Sequence, residues 1–475
     1  MNKKRSRRQQ IALRSFTYGM MTIAVLFGVI FSFSWAMGFR FDMKSKQVSQ
    51  VALLQFASTP SGARIDVNRS RLSSSTPTRT NIASGDTTVN ISLEDYRTWS
   101  KTINAAPSSV RWINYIRLIP KNVTTESIKN FAQINTMFAS PNKKWLLLQQ
   151  ISSDQELTLA NISNPLKVEF STIKFDLEQI TSSENNQSEK FEIIEWDQNS
   201  RYILVKHVVD DTTEFLRLDR QNPTETKNLT RDFGMNIKEA HFSGANGNLF
   251  FGLTDRDLRK FDYNNKTATA PLVNDVDDFR LYKNNIFAYV SSETKDDKKR
   301  QKVGIYDDGK STIIKTYDDI KTVTAEFTSY EGKDYLAVAR GETISIYPSP
   351  LDSDSSESPI YLSSPGGIDL FEFSPNGRFV VASKNNKIVS YDIETNENYS
   401  FEMSGKLTKF NWIDAYHLID NSDKSISFME FDGKNRERIV SGRSQATLSS
   451  NDKYMFSLGD TAGGIVLQRS QLILR

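Results

Sequence analysis

One stretch of the sequence carries the residues of a phosphate-binding loop at the expected spacing. Gly304, Gly309, Lys310 and Ser311 match the pattern Gly-x-x-x-x-Gly-Lys-Ser. Such a loop requires a strand before it and a helix after it. The following residues, Thr312 to Tyr317, read instead as a second strand, and the two aspartates inside the loop would repel a phosphate. We interpret the stretch as a hairpin turn and expect no nucleotide or other cofactor.

The remaining residue types that often support catalysis or metal binding are sparse. His207, His241 and His417 lie in separate parts of the chain, and none has a second histidine or a carboxylate at metal-ligand spacing. We expect each to be a hydrogen-bonded core or edge residue. The acidic stretch from Asp352 to Glu357 lacks the glycine and terminal glutamate of an EF-hand loop and is interpreted as a solvated loop. We predict no catalytic, cofactor-binding or metal-binding residues.

Two absences narrow the chemistry further. The chain contains no cysteine, which excludes disulfides, thiolate metal sites and cysteine nucleophiles. It also contains no Gly-x-Ser-x-Gly motif, the nucleophile turn of many hydrolases. The sequence therefore predicts a protein that is not an enzyme.

Positive charge is concentrated at the start of the chain. The first fourteen residues contain six lysines and arginines and no acidic residue. Because the whole chain has a net charge of +3, the remainder carries 3 − 6 = −3. A nucleic-acid-binding surface needs a basic patch on a folded domain, so we expect no nucleic-acid partner.

The basic start is followed by an apolar segment that is long enough to cross a membrane. Ser15 to Phe39 contains no charged residue, and as a helix it exceeds the ~30 Å thickness of the hydrocarbon core. Tyr18 and Trp35 lie near its ends, where aromatic residues favour the interface. The six preceding cations favour a cytoplasmic N-terminus. We predict a cytoplasmic tail over residues 1–14, a transmembrane helix over residues 15–39, and an extracytoplasmic remainder.

A cleaved signal peptide is the alternative for this segment. Ser34 to Ala36 forms a tolerable cleavage site. The apolar core of a signal peptide runs for about 7–15 residues, however, and this one is longer. An uncleaved anchor is therefore favoured, and both interpretations place the rest of the chain outside the cytoplasm.

Residues 48–120 have the alternation of a small all-β domain. Ile65 and Val67 share one strand face, and Val89 and Ile91 share a face of another strand. Turn residues separate these strands. Short strands over about 70 residues predict a small sandwich-like domain.

The turns of this region resemble those of the PEGA domain. A serine stands where the glutamate of the motif is usual, and the Thr-Pro turn, the glycine turn and the following tyrosine occur in the expected order. The residues that carry the resemblance are Pro60, Ser61, Gly62, Ala63, Thr76, Pro77, Gly85 and Tyr96. The resemblance implies a binding or spacer module and no catalysis.

Two PEGA glycines are replaced in this sequence. The hairpin glycine is missing near Asn68, and the glycine before the tyrosine is Asp95. Because Asn and Asp tolerate positive φ better than most residues, we expect both turns to be retained.

Residues 125–475 repeat a polar turn followed by an apolar strand eight times. The first apolar residues of these strands span 309 residues in seven steps, a mean of about 44. A period of ~40–45 residues predicts four-stranded propeller blades. The anchor residues are Trp145, Tyr202, Leu249, Ile286, Tyr335, Phe379, Tyr416 and Tyr454.

The clearest unit, Gly367 to Met403, resembles WD-repeat and TolB-type blades. Phe373 to Phe379 and Tyr391 to Thr395 carry the resemblance, but the Gly-His and Trp-Asp pairs of strict WD repeats are absent. We predict a seven- or eight-bladed β-propeller, with eight preferred, in an all-β protein. An open solenoid is the alternative.

The ends of the repeat region predict how the ring closes. The last unit, Gln445 to Leu474, has room for about three strands. A segment near Ser127 to Ile134 precedes the first complete unit and can supply the fourth. Closure of this kind removes exposed strand edges.

These features favour a non-catalytic membrane-anchored protein of the cell envelope or surface. The ectodomain is expected to bind a partner protein or a glycan, and the long polar segments Thr181 to Lys190 and Ser291 to Lys302 are candidate loops. A lyase or hydrolase within the propeller, or a sensor that acts through a membrane partner, are the alternatives. The first strands around Glu372 and His241 show no recurrent catalytic set. The sequence leaves the ligand, the blade count, the binding face and the oligomeric state open.

Overall fold

The structure is a computed structural model. It divides into two compact units, Met1–Asn122 and Val123–Arg475. The described residues are 7–36, 39–42, 47–151, 155–182, 189–244, 246–295, 298–405, 407–422, 424–443 and 445–474.

The chain begins with one long apolar helix, α1 (Arg7–Ala36). Its segment Arg14–Trp35 has a mean hydropathy of 1.9 and no buried residue, so its length and composition suffice to cross a membrane. An apolar N-terminal helix is thereby confirmed, and both an anchor and a signal sequence fit it. The helix begins before Ser15 and ends before Phe39, which belongs to strand β1 (Phe39–Asp42). The predicted bounds followed the run of residues without charge. Helical hydrogen bonds do not require apolar side chains, so the helix also includes polar residues that precede this run.

The first unit contains two four-stranded sheets. One has β2 between β5 and β8, with β1 on the first residues of β2, and the other has the order β4-β3-β6-β7. Val89 and Ile91 are buried, whereas Thr88 before them is exposed and Asn90 between them is half-buried, as the alternation predicts. The strands are β2 (Gln47–Thr59), β3 (Arg64–Val67), β4 (Ser70–Ser75), β5 (Thr78–Ala83), β6 (Gly85–Ser92), β7 (Trp99–Ala105) and β8 (Val110–Arg117).

The PEGA-like turns pack against one another in this unit. Gly62 N donates to Thr76 O over 2.7 Å, and Thr76 N donates to Ala63 O over 2.9 Å. The Thr76 hydroxyl accepts a further bond from Ala63 N at 3.0 Å. Tyr96 is buried and forms a bridge with Pro120. These hydrogen bonds join the two turns into one structure.

The two replaced glycines have the backbone that the sequence predicts. Asn68 has a φ of 47° and Asp95 has a φ of 65°. Both lie in the left-handed region, in which Asn and Asp are the best tolerated residues after glycine. The turns are therefore retained without glycine.

In the second unit the described residues form eight sheets, of which seven have four strands and one has three. The first four sheets contain β10 (Thr136–Ala139), β11 (Trp145–Gln149), β12 (Glu156–Asn161) and β13 (Glu169–Lys174); β14 (Lys190–Trp196), β15 (Tyr202–Val209), β16 (Thr212–Asp219) and β17 (Asn222–Asn228); β18 (Ile237–Phe242), β19 (Leu249–Thr254), β20 (Asp257–Asp262) and β21 (Thr267–Ala268); and β22 (Val276–Lys283), β23 (Ile286–Lys295), β24 (Lys298–Asp307) and β25 (Lys310–Tyr317). A 3-10 turn (Leu177–Gln179) and a short helix, α2 (Leu229–Phe233), lie in the connections.

The other sheets continue in chain order. They contain β26 (Val323–Tyr330), β27 (Lys333–Arg340), β28 (Thr343–Pro348) and β29 (Ile360–Ser363); β30 (Leu370–Phe373), β31 (Phe379–Lys384), β32 (Lys387–Asp392) and β33 (Glu397–Glu402); β34 (His417–Ser422), β35 (Ser425–Glu430) and β36 (Glu437–Ser441); and β37 (Ala446–Leu448), β38 (Tyr454–Thr461), β39 (Gly464–Gln471) and β9 (Thr125–Phe131). All neighbouring strands in these eight sheets are antiparallel, and the first seven sheets are meanders of consecutive strands.

The two ends of the second unit meet in its last sheet. Strand β9 pairs with β39, with Phe131 opposite Ile465, and the two side chains belong to one buried cluster. Arg469 adds an ion pair with Glu126 at 2.5 Å. The predicted closure is confirmed, and the open solenoid is excluded because the terminal strands are paired with each other.

Two sequence interpretations of loops have different outcomes. Asp307 pairs with Lys310 across a tight turn between β24 and β25, so the phosphate-loop pattern is a hairpin, as predicted. Ser291 to Lys302 is not a long loop: most of it extends β23 and β24, with the tip at residues 296–297 outside the described residues. A polar segment without glycine or proline can form either an exposed hairpin or a loop. Composition alone does not distinguish the two. Of Thr181 to Lys190, residues 183–188 also lie outside the described part.

Candidate functional site

The first strands of the eight sheets share one register position. In each four-stranded sheet, the residue two positions after the repeat anchor pairs with one residue of the first strand. In the three-stranded sheet, the corresponding residue pairs with Trp412, which lies just before β34. We call these first-strand partners the ring residues. They are Phe138, Glu195, His241, Arg280, Glu326, Glu372, Trp412 and Thr447.

Ionisable residues occupy this position in five consecutive sheets. Glu195, His241, Arg280, Glu326 and Glu372 are the ring residues of the second to sixth sheets. The neighbouring ring positions are aromatic or carry a hydroxyl. One side of the ring is therefore charged, and the other is neutral.

A repeated hydrogen bond links the ring residues to the next sheet. Glu195 accepts from the backbone N–H of Phe242, which follows His241. Glu326 accepts from the backbone N–H of Phe373 at 2.8 Å. In both cases the donor is the residue after the next ring residue, so the carboxylates hold adjacent first strands together.

Arg280 shows that the ring residues converge. Its Nη1 donates to the carbonyl oxygen of Phe371 at 2.9 Å and lies 3.7 Å from Glu326 Oε2. Phe371 belongs to the sixth sheet and Arg280 to the fourth, so the side chain reaches past the sheet between them. This contact requires the first strands to line a common channel.

His241 is hydrogen-bonded, as expected of a core or edge histidine, but it is half-buried and does not belong to the core. Its ring nitrogens lie 3.4 Å from Glu195 Oε2 and 3.2 Å from Glu239 Oε1. Burial lowers the pKa of His241, but the hydrogen bonds to both carboxylates outweigh burial and raise the pKa to about 9. Glu239 precedes it by two residues, the spacing that places two strand side chains on one face. His241 is thus a cation between two carboxylates in the channel.

The carboxyl groups further along the ring also have raised pKa values, which favour their neutral form. Burial raises the pKa of Glu326 to about 7, against the charge of Arg280. Burial also raises the pKa of Glu372 to about 7, and the charge of Glu326 adds to this effect. Burial raises the pKa of Asp278, which precedes Arg280 by two residues. The channel therefore holds carboxyl groups that are partly protonated near neutral pH.

The other two histidines are core residues, as predicted. His207 is fully buried, stacks on Phe191 with ring centres 4.3 Å apart, and lies within 3.2 Å of two carboxylates. His417 is buried beside Asp414, with Nδ1 2.9 Å from Oδ1. Among the residues that the structure describes, no group of three His, Asp or Glu residues is arranged to hold a metal ion. The PEGA-like residues all lie in the first unit.

Sequence comparison identifies the first β unit. Residues 52–118 match the PEGA domain family. Comparison with curated proteins gives no match.

Solved structures resemble the repeat region. An oligogalacturonate lyase in complex with manganese is 12% identical, covers 74% of this chain and 98% of its own, and has a TM-score of 0.41. Apo AztD from Citrobacter koseri is 12% identical over 81% of this chain and 96% of its own, with a TM-score of 0.39. Dihydro-heme d1 dehydrogenase NirN in complex with DHE is 13% identical over 65% and 67%, with a TM-score of 0.43. At these identities the likeness concerns the fold alone. The chain thus combines an apolar N-terminal helix, a region that matches the PEGA domain, and an all-β repeat region like that of propeller-type proteins.

Proposed function

We propose that this chain is a non-catalytic, membrane-anchored protein of the cell envelope that binds a partner protein or a glycan in its propeller channel. The apolar helix α1 supplies the anchor, and the cations before it favour a cytoplasmic N-terminus. The PEGA region between helix and propeller acts as a spacer. The absence of cysteine from the whole sequence suits an extracytoplasmic location.

The ring of ionisable residues is the observation that carries the binding role. Glu195 and Glu326 are each fixed by a backbone N–H of the next sheet, and His241 is held by two carboxylates. Fixed polar groups in a concave site give orientation and specificity to a bound ligand. Side chains committed to these bonds favour recognition over proton transfer.

A second candidate function rests on Glu326 and Glu372. Their pKa of about 7 lies where a general acid or base works best at neutral pH. A lyase or hydrolase that acts on an envelope polymer is therefore the alternative.

One experiment separates the two functions. The full chain in detergent micelles is applied to an array of envelope glycans and peptides. The bound glycan or peptide is recovered, and its mass is determined by mass spectrometry. The binding function predicts retention of an unchanged ligand, altered in Glu372→Gln and unaffected in Lys310→Ala at the exposed hairpin. Turnover into smaller products, lost in Glu372→Gln, would establish the enzyme. Equal retention by all three chains would place the ligand outside the channel.

A further inference from the structure

A cavity of about 460 Å³ opens beside the ring residues Arg280 and Glu372. This volume lies within the range of small-molecule sites, roughly 300–1,000 Å³. A second cavity of about 1030 Å³ shares Arg280, Lys321, Thr322 and Thr324 with it, so Arg280 stands where the two spaces meet. The smaller space is referred to as the Arg280 cavity.

The charged lining of the Arg280 cavity has an excess of cations. It contains four cations and two acids: Arg280, Lys321, Lys384, Lys409, Asp369 and Glu372. Lys384 Nζ lies 2.8 Å from Asp369 Oδ1, so these two charges compensate each other. Lys321 Nζ lies 3.4 Å from Asp319, which is not part of the lining. Arg280 Nη1 lies 3.7 Å from Glu326 Oε2, which is likewise outside the lining. Within the lining, Arg280 and Lys409 therefore remain opposite a single carboxyl group, that of Glu372.

Arg280 keeps donors available for a ligand. A guanidinium has five N–H donors. Among the hydrogen bonds between described residues, Arg280 uses Nη1 alone, toward the carbonyl of Phe371. Its remaining donors suit the paired oxygens of a carboxylate or phosphate, which guanidinium groups bind in a two-point geometry.

The uncharged lining suits a hydroxyl-bearing ring. Three threonines, Thr322, Thr324 and Thr408, line the cavity together with Phe371 and Phe410. Threonine hydroxyls both donate and accept hydrogen bonds, as sugar hydroxyls do. The buried phenylalanines supply apolar wall, which small-molecule sites combine with a few placed polar groups.

We infer that the Arg280 cavity binds an acidic sugar, a saccharide unit that carries a carboxylate or a phosphate, with its anionic group held by Arg280 and Lys409. The inference rests on the proposed binding function and names the class of its ligand. A carboxylate-bearing or phosphate-bearing unit of an envelope polymer provides the same anionic chemistry.

Binding of such an anion is coupled to a proton. Glu372 faces Arg280, Glu326, Lys409 and Trp412, and Asp369 and Lys384 lie in the same lining. Burial already raises the pKa of Glu372 to about 7. A second anion nearby raises it further, so the complex takes up a proton and weakens as the pH rises above 7.

The test is calorimetric titration of the full chain in detergent micelles with glucuronic acid, glucose 6-phosphate and glucose at pH 6 and pH 8. We expect an acidic sugar to bind at least tenfold more tightly than glucose, and more tightly at pH 6. The two acidic probes separate carboxylate from phosphate recognition. Lys409→Gln, at an exposed residue, should weaken binding by about two- to fivefold, and Lys310→Gln should leave it unchanged. Arg280→Lys keeps the charge but loses the two-point geometry and should weaken binding by more than about tenfold.

Several results would overturn the inference. These are equal affinity for glucose and the acidic sugars, unchanged affinity in both Lys409→Gln and Arg280→Lys, or binding that strengthens from pH 6 to pH 8. A glycan-array signal that depends on Glu372 but not on ligand charge would overturn the inference and leave the proposed function standing. Circular dichroism of each variant shows whether a loss of binding reflects a loss of fold.

Discussion

The indole Nε1 of Trp412 donates a hydrogen bond to Glu372 Oε1 over 2.7 Å, and both are ring residues of consecutive sheets. Such a bond stabilises the charged carboxylate. Burial and the charge of Glu326 act in the opposite direction and prevail, so the pKa of Glu372 is about 7. The channel therefore maintains a carboxyl group whose charge changes near neutral pH.

Replacing Glu372 by Gln should stabilise the propeller at pH 8. The folded-state pKa of about 7 exceeds the ordinary value of 4.5, so the folded state binds more protons between these values. The stability of the unmodified chain therefore falls as the pH rises from about 4.5 to about 7. Glutamine does not ionise and avoids this loss. We expect a gain of about 1 kcal/mol, or roughly 2 °C in Tm, at pH 8 and a much smaller gain at pH 5.

A matched exposed acid serves as the control for this prediction. Glu169 is 62% exposed beside Lys167 at a strand edge. Glu169→Gln should keep the pH dependence of the unmodified chain in the same thermal-unfolding series. If Glu372→Gln also kept it, the carboxyl group would not be raised in pKa by the channel.

His241→Gln should destabilise the chain at pH 6 and have little effect near pH 10. The folded-state pKa of about 9 exceeds the ordinary value of 6.5. The contribution of a raised histidine is fully present below the lower value and is lost as the pH rises through the upper one. Thermal unfolding at pH 6, 8 and 10 should show a penalty that shrinks across the series.

The carboxylate partners of His241 provide a second test of the same mechanism. Glu239→Gln removes one of the two groups that raise the histidine pKa. The loss of stability with rising pH should then end at a lower pH than in the unmodified chain, because the folded-state pKa of His241 is lower. A His241→Gln penalty that is constant from pH 6 to pH 10 would contradict the mechanism.

Protease added to intact cells should remove the ectodomain and spare the cytoplasmic tail. The six cations before the apolar segment favour a cytoplasmic N-terminus. Tags at the two ends allow each fragment to be followed on a blot, with lysed cells as the control. If the C-terminus were protected in intact cells, the predicted orientation would be wrong.

The repeat period and the closure of the ring were predictable because they depend on residue patterns along the chain. The anchors mark the second strand of each four-stranded sheet and the start of β34 in the three-stranded one. The short last unit requires a strand from the other end. The PEGA-like turns were predictable for a similar reason, because Asn68 and Asp95 tolerate the backbone that the missing glycines would have supplied.

The ring residues were not predicted, because they do not lie at a constant distance from the repeat anchors in the sequence. Phe138, Glu195, Glu372 and Thr447 each lie seven residues before their anchor, but His241 lies eight before and Arg280 six before. A bulge between Leu281 and Lys283 shifts the register of the fourth sheet. Strand pairing aligns these positions, whereas spacing in the sequence does not. For the same reason, the residues around His241 and Glu372 showed no recurrence in the sequence.

The seam between β9 and β39 gives the last prediction, and two adjacent glycines provide a matched pair. Gly464 has a φ of +142°, and a Cβ there would overlap the carbonyl oxygen of Phe131 and lie 2.8 Å from that of Ala132. A Cβ on Gly463 would meet nothing within 4 Å. Gly464→Ala should therefore force the closing strands apart, whereas Gly463→Ala leaves them paired.

In a ring closed by its two ends, a disturbed seam affects every sheet, because each sheet is held by two neighbours. Gly464→Ala should lower the free energy of unfolding of the propeller by about 2 kcal/mol while the propeller still unfolds in a single transition. Gly463→Ala should remain within about 0.5 kcal/mol of the unmodified chain. Scanning calorimetry of the full chain measures both. If the seam contributed only a frayed end, Gly464→Ala would leave the main transition in place and add a small early one, as in an array whose terminal repeats unfold alone. Deletion of residues 464–475 should enlarge the loss, because it also removes Ile465 and Leu467 from the cluster that contains Phe131.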